Sequence, residues 1–114
     1  MTAPKLTDAQ IEAVIEEAFA AAAQATANYL AKYGDRDCCG FAWVNVTPGT
    51  SKVAKILKAK YDARKPYGGT GVQIWNPSKS YTQSITAKEE GAYAFASIIK
   101  DKLGVEAYAG SRMD

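Results

Sequence analysis

Residues 65–85 read KPYGGTGVQIWNPSKSYTQSI, and how this stretch is read decides the fold. Gly68, Gly69 and Gly71 precede a short apolar run from Val72 to Trp75, which Asn76-Pro77-Ser78 then ends. A dinucleotide-binding glycine loop follows a strand and opens a helix, so that the helix N-terminus meets the pyrophosphate. Here the glycines lead into a strand instead, so they read as a turn or hinge. Val72 and Ile74 alternate with Gln73 and Trp75, which predicts a strand over 71–75. After the Asn-Pro-Ser turn the pattern alternates again. Tyr81, Gln83 and Ile85 point one way and Ser80, Thr82 and Ser84 the other, which predicts a further strand over 80–85.

Upstream, residues 7–33 form one long helical pattern. Thr7 and Gln10 make a capping box, and apolar residues recur at helical spacing from Ile11 to Tyr33 before Gly34. At about 1.5 Å per residue this helix is long enough to overhang a small domain. Its AFAAAAQA run makes residues 7–33 a candidate homo-oligomer interface; the other reading lays the helix across its own sheet. Residues 40–46, GFAWVNV, predict a strand. Ser51 caps a basic helix over 52–64. Downstream, Thr86 and Glu89 suggest a capping box for a helix through Leu103. Residues 105–109 predict a last short strand, and Gly110 to Asp114 a fraying tail.

The order is therefore a long helix followed by β-α-β-β-α-β, in one domain spanning 1–114. The fold class is α+β, in the ferredoxin-like or split βαβ arrangement, with an antiparallel sheet and helices on one face. Another α+β sheet with the long helix inserted in the packing also fits. Alternation buries Val44, Val46, Val72, Ile74, Ile85, Val105 and Ala107 on one face. The opposite face carries Trp43, Asn45, Gln73, Trp75, Thr82, Ser84 and Tyr108. Two arrangements fit that second face: covered by the long helix, or open to solvent.

Composition excludes much chemistry. The chain has 114 residues and no histidine, which removes the commonest general base and the usual Ser-His and Cys-His arrangements. Two adjacent cysteines, Cys38 and Cys39, neither form a disulfide framework nor supply the ligands of a zinc site. They read as small buried residues. Asp35 and Asp37 flank Arg36 in a polar turn and lack a third acidic neighbour for a cation. No catalytic residue, metal site or cofactor is expected. With no signal-peptide or membrane-span pattern, the expected location is cytoplasmic.

Charge is uneven. Residues 1–37 carry three basic and six acidic groups, residues 38–88 eight and one, and residues 89–114 three and five. An anion would be drawn to the middle third. Aromatic and amide side chains suit a planar polar ligand, which stacks on rings and is read at its edges. These features predict a non-enzymatic binding protein for a small anionic, nucleotide-like ligand. Trp43, Trp75 and Tyr67 would stack, Gln73 and Asn76 would read edges, and Arg64, Lys65 and Arg112 would supply charge. The alternatives are an interaction module using the Ala-rich helix and a nucleic-acid binder using basic residues 52–65. The second is disfavoured: the RNA-recognition sheet shares the β-α-β-β-α-β order, but SYTQSIT lacks its aromatic signature.

One domain, no histidine and compact Gly-Trp-Asn-Pro turns together resemble the small accessory proteins of tailed phages. That resemblance implies a place in the host cytoplasm and sequestration of a host signalling nucleotide.

Overall fold

The computed structural model describes residues 6–35, 38–66 and 69–113. The elements run α1 (Asp8–Tyr33), β1 (Gly40–Thr47), α2 (Lys52–Lys60), β2 (Val72–Trp75), α3 (Ile85–Leu103) and β3 (Glu106–Met113). The fold class is α+β. The sheet has three strands in the order β2-β1-β3, with both pairings antiparallel. No helix among the described residues is long and apolar enough to cross a membrane.

The expected strand over 80–85 is not formed, so the four-stranded ferredoxin-like order is corrected to a three-stranded sheet. The reason lies in its small hydroxyls, which bond to nearby backbone instead of leaving it to a ladder. Ser80 Oγ accepts from the N–H of Thr82, and Asn76 Nδ2 donates to the Ser80 carbonyl oxygen. Tyr81, expected on a sheet face, is 99% exposed. Of the expected strand Ser84 keeps one isolated antiparallel bridge, to Cys39; it is buried and its hydroxyl accepts from the N–H of Ala87, capping α3. The cap is therefore Ser84, and α3 starts at Ile85 rather than after the expected Thr86–Glu89 box.

Two other boundaries differ. Helix α2 stops at Lys60, not 64, because Asp62 takes a left-handed φ of 60° and turns the chain back. Arg64 then pairs with Gln73 through two backbone hydrogen bonds of 3.0 and 2.7 Å, on the outer edge of β2. The tail does not fray through Met113. Residues 110–113 continue β3, pairing Trp43 with Gly110, Phe41 with Arg112 and Gly40 with Met113.

Helix α1 keeps its Thr7–Gln10 capping box. Its 26 residues span about 39 Å, nearly the whole of the molecule's longest extent of 43 Å. It lies on α3 rather than on the sheet. Ile11, Ile15, Ala18, Ala22 and Thr26 form its buried stripe. Close approach to α3 needs Gly91, where an added Cβ would lie 2.6 Å from Thr26 Oγ1 and 3.0 Å from the Ala22 carbonyl oxygen. Thr26 Oγ1 donates across this contact to the Ala87 carbonyl oxygen at 2.6 Å. Phe95 and Ile99 of α3, with Leu57 of α2, complete a core over Val44 and Val46, all fully buried.

All helices thus occupy one side of the sheet's packing. The opposite face, bearing Phe41, Trp43, Asn45, Gln73, Trp75 and Tyr108, has no covering element among the described residues. Trp75 is 49% and Tyr108 53% exposed. Of the two arrangements for this face, the open one is found.

Candidate functional site

Antiparallel pairing places directly opposed residues on the same face. Arg64, Gln73, Asn45 and Tyr108 therefore form one row across the open face. Trp75, Trp43 and Gly110 form the next, and Phe41 and Arg112 the one after. Gln73 Nε2 donates to Asn45 Oδ1 at 3.3 Å. The Trp43 and Trp75 rings are 5.1 Å apart and tilted, and Phe41 meets Trp75 edge-on at 6.0 Å. Trp43 leans over Gly110, where an added Cβ would fall 2.6 Å from the indole Nε1. Glycine there is what lets the indole lie down on the strand.

Beside β2 the face drops into a cleft of about 650 Å³, within the size range of small-ligand sites. Its aromatic walls are Phe19 of α1, Tyr61 at the end of α2, and Trp75; Lys60, Arg64 and Lys79 line it with positive charge. Phe19 stacks on Tyr61 with centroids 5.6 Å apart and meets Phe95 edge-on at 4.9 Å, which anchors that wall to the core. Lys79 Nζ lies 4.5 Å from the Phe19 ring centroid. Lys60 is paired to Glu12 at 3.0 Å, and Arg64 loosely to Asp62 at 3.8 Å. The lining therefore holds three cations against one carboxylate, Asp62. Burial, then the nearby Glu16 and Glu12 carboxylates, hold the Tyr61 phenol above its ordinary pKa, so it stays neutral at physiological pH.

A second, smaller cavity of about 210 Å³ adjoins the other end of the Asn76–Ser80 loop, lined by Phe41, Trp75, Asn76, Ser80, Tyr81 and Lys88. Trp75 lines both. Lys88 Nζ donates to the Gly40 carbonyl oxygen at 3.0 Å and lies 5.7 Å from the Phe41 centroid. Arg112 approaches the same ring at 5.9 Å. Among the described residues, the non-glycine positions with positive φ are Asp62, Asn76 and Lys79. All three line one or other cavity. Asp and Asn tolerate left-handed backbone, but at Lys79 it costs on the order of 1–2 kcal/mol, and such strain gathers at functional sites.

Of the residues singled out from sequence, Arg64 and Trp75 meet in the cleft, and Asn76 joins Trp75 in the second cavity. The Asn76 side chain also holds its own loop, donating to Ser80 and accepting from the Ser78 hydroxyl at 3.3 Å. Trp43, Gln73 and Arg112 share the open face but line neither cavity, and Lys65 is exposed beside Arg64. Tyr67 lies outside the described residues. Phe19, Tyr61, Lys79 and Lys88 do not stand out as site residues in the sequence, and Lys60 does so only as part of the basic stretch 52–65. Phe19 and Tyr61 read as helix stripe, and Lys79 lies in a loop whose course no periodicity signals.

The basic helix is partly neutralised: Lys52 pairs with Asp8 and Lys60 with Glu12, each at 3.0 Å. Cys38 and Cys39 are exposed thiols, not buried ones. Asp35 anchors the turn that leads into α3. The Thr82 hydroxyl and the N–H groups of Gln83 and Ser84 donate to its carboxylate and hold its pKa below the ordinary value. Arg36 and Asp37 lie outside the described residues. Among the described residues, no group of three or more acidic or cysteine side chains is placed to hold a metal.

No family model matches the chain, and neither does a curated protein or a solved structure.

Proposed function

We propose that the protein binds a small anionic, nucleotide-like ligand in the cleft beside Trp75. The observation that carries this reading is the convergence of Lys60, Arg64 and Lys79 on a cleft walled by Phe19, Tyr61 and Trp75. Aromatic walls take a planar base by stacking, and a cationic lining takes its phosphate. Arg64 offers a bidentate fork to phosphate oxygens once its weak, exposed contact with Asp62 is exchanged. Left-handed backbone at Asp62 and Lys79 supports the reading, because it shapes the rim at both sides of the cleft. The role is binding without turnover, and the phage resemblance adds sequestration of a host signalling nucleotide.

Tryptophan fluorescence titrated with a panel of nucleoside phosphates tests this. Quenching that saturates is expected for at least one member, with the nucleotide recovered unchanged. Arg64→Ala should weaken that binding about tenfold, the scale of one charge-assisted hydrogen bond. A panel with no binder at millimolar concentration sinks the proposal.

A further inference from the structure

Resting on the reading of the cleft as a nucleotide site, we infer that the ligand continues past Trp75 into the second cavity. It is then at least two nucleotides joined by a phosphodiester. Trp75 is the shared wall of the two cavities and is half exposed, so its indole borders a ligand in each of them. The second cavity, at about 210 Å³, is smaller than the roughly 300–1,000 Å³ of a self-sufficient ligand site. It suits one planar ring attached to something larger. Phe41 and Tyr81 supply further aromatic wall, and Asn76 and Ser80 supply polar edges.

Charge is also duplicated. Lys88 lines the second cavity and forms no ion pair among the described residues, as Lys79 forms none in the first. One loop serves both sites. Asn76 and Lys79, with φ of 47° and 57°, are tied by a 2.8 Å hydrogen bond from the Lys79 N–H to the Asn76 carbonyl oxygen. Asn76 lines the second cavity and Lys79 the first. A single bound strand crossing this loop would meet a cation in each cavity and an aromatic wall common to both.

Tryptophan fluorescence titrations of the full chain with adenosine 5′-monophosphate, 5′-phosphorylated diadenylate and hexaadenylate test the inference. The diadenylate should bind at least about tenfold tighter than the mononucleotide, the scale of one added base–aromatic stack. Tyr81→Ala and Lys88→Ala should each reduce that advantage and leave mononucleotide binding unchanged. Tyr81 is fully exposed, so its variant keeps the fold. Arg64→Ala should weaken both ligands alike. Hexaadenylate binding as tightly as the diadenylate supports the inference with a single strand as source, and weaker hexaadenylate binding supports it with a free dinucleotide. Equal affinity for mononucleotide and diadenylate overturns the inference while the nucleotide site stands. Binding of none of the three overturns the nucleotide site itself.

Discussion

Replacing Gly91 with alanine sets two effects of known sign against each other. Alanine in a helix interior gains about 1 kcal/mol over glycine. The new Cβ, however, would fall 2.6 Å from Thr26 Oγ1, 2.8 Å from Ser78 Cβ and 3.0 Å from the Ala22 carbonyl oxygen. Two of these three neighbours cannot swing aside, because one is backbone and one is the first carbon of a buried side chain. Overpacking of this kind costs about 1–3 kcal/mol. Displacing Thr26 also strains its buried hydrogen bond to Ala87, worth about another 1 kcal/mol. The net expectation is destabilisation by about 1–3 kcal/mol, or roughly 4–12 °C in Tm for a domain of this size. Urea unfolding followed by far-UV circular dichroism measures it. Adding Thr26→Ala removes the nearest clash, so the double variant should be less destabilised than the two single losses combined. A Gly91→Ala protein as stable as the parent, or more so, would refute the close approach of α1 and α3.

Gly110→Ala should push Trp43 off β3, since its Cβ would lie within 3 Å of three indole atoms; the near-UV circular dichroism of the Trp43–Trp75 pair should change, and an unaltered spectrum counts against that packing. Asp35→Asn tests the anchoring of the Gln83–Ser84 turn that leads into α3. The folded pKa of Asp35 is depressed, so its stabilisation is present above about pH 4, its unfolded value, and is lost as pH falls through the folded value. The Tm difference between parent and Asp35→Asn should accordingly be present at pH 7 and shrink below about pH 4; a difference constant with pH would rule out the ionised carboxylate as its source.

Strands β1 and β2 were legible because Val44, Val46, Val72 and Ile74 alternate with side chains that prefer the other face, and burial follows that alternation residue by residue. The same rule misled at 80–84, where Ser80, Thr82 and Ser84 alternate for a different reason: their hydroxyls and local backbone are spent on a loop and a helix cap. Residues 110–113 were missed from the opposite cause. Gly-Ser-Arg-Met has no β-branched or aromatic signal, and its strand is held by backbone pairing with Gly40 to Trp43. In the candidate site, the junction of Arg64 with Trp75 could be anticipated because both flank the glycine-rich stretch in sequence. Phe19, Lys60 and Lys79 arrive from a helix face, a helix end and a loop. Helix packing brings Phe19 and Lys60 together, and Lys79 arrives through a left-handed turn at a residue type that prefers other backbone regions.

Strand β1 is the middle strand of the sheet, yet its longest partner lies far along the chain, with Gly40 paired to Met113. During synthesis β1 emerges with Val44 and Val46 uncovered, and it must wait for β2, then α3, then β3. Closing so distant a pairing late carries a loop-closure cost that slows folding. An unpaired apolar strand held in that interval is open to mispairing with other chains. The placement of β1 therefore makes the yield of folded protein sensitive to nascent-chain concentration and to chaperone capacity, independently of how stable the finished sheet is.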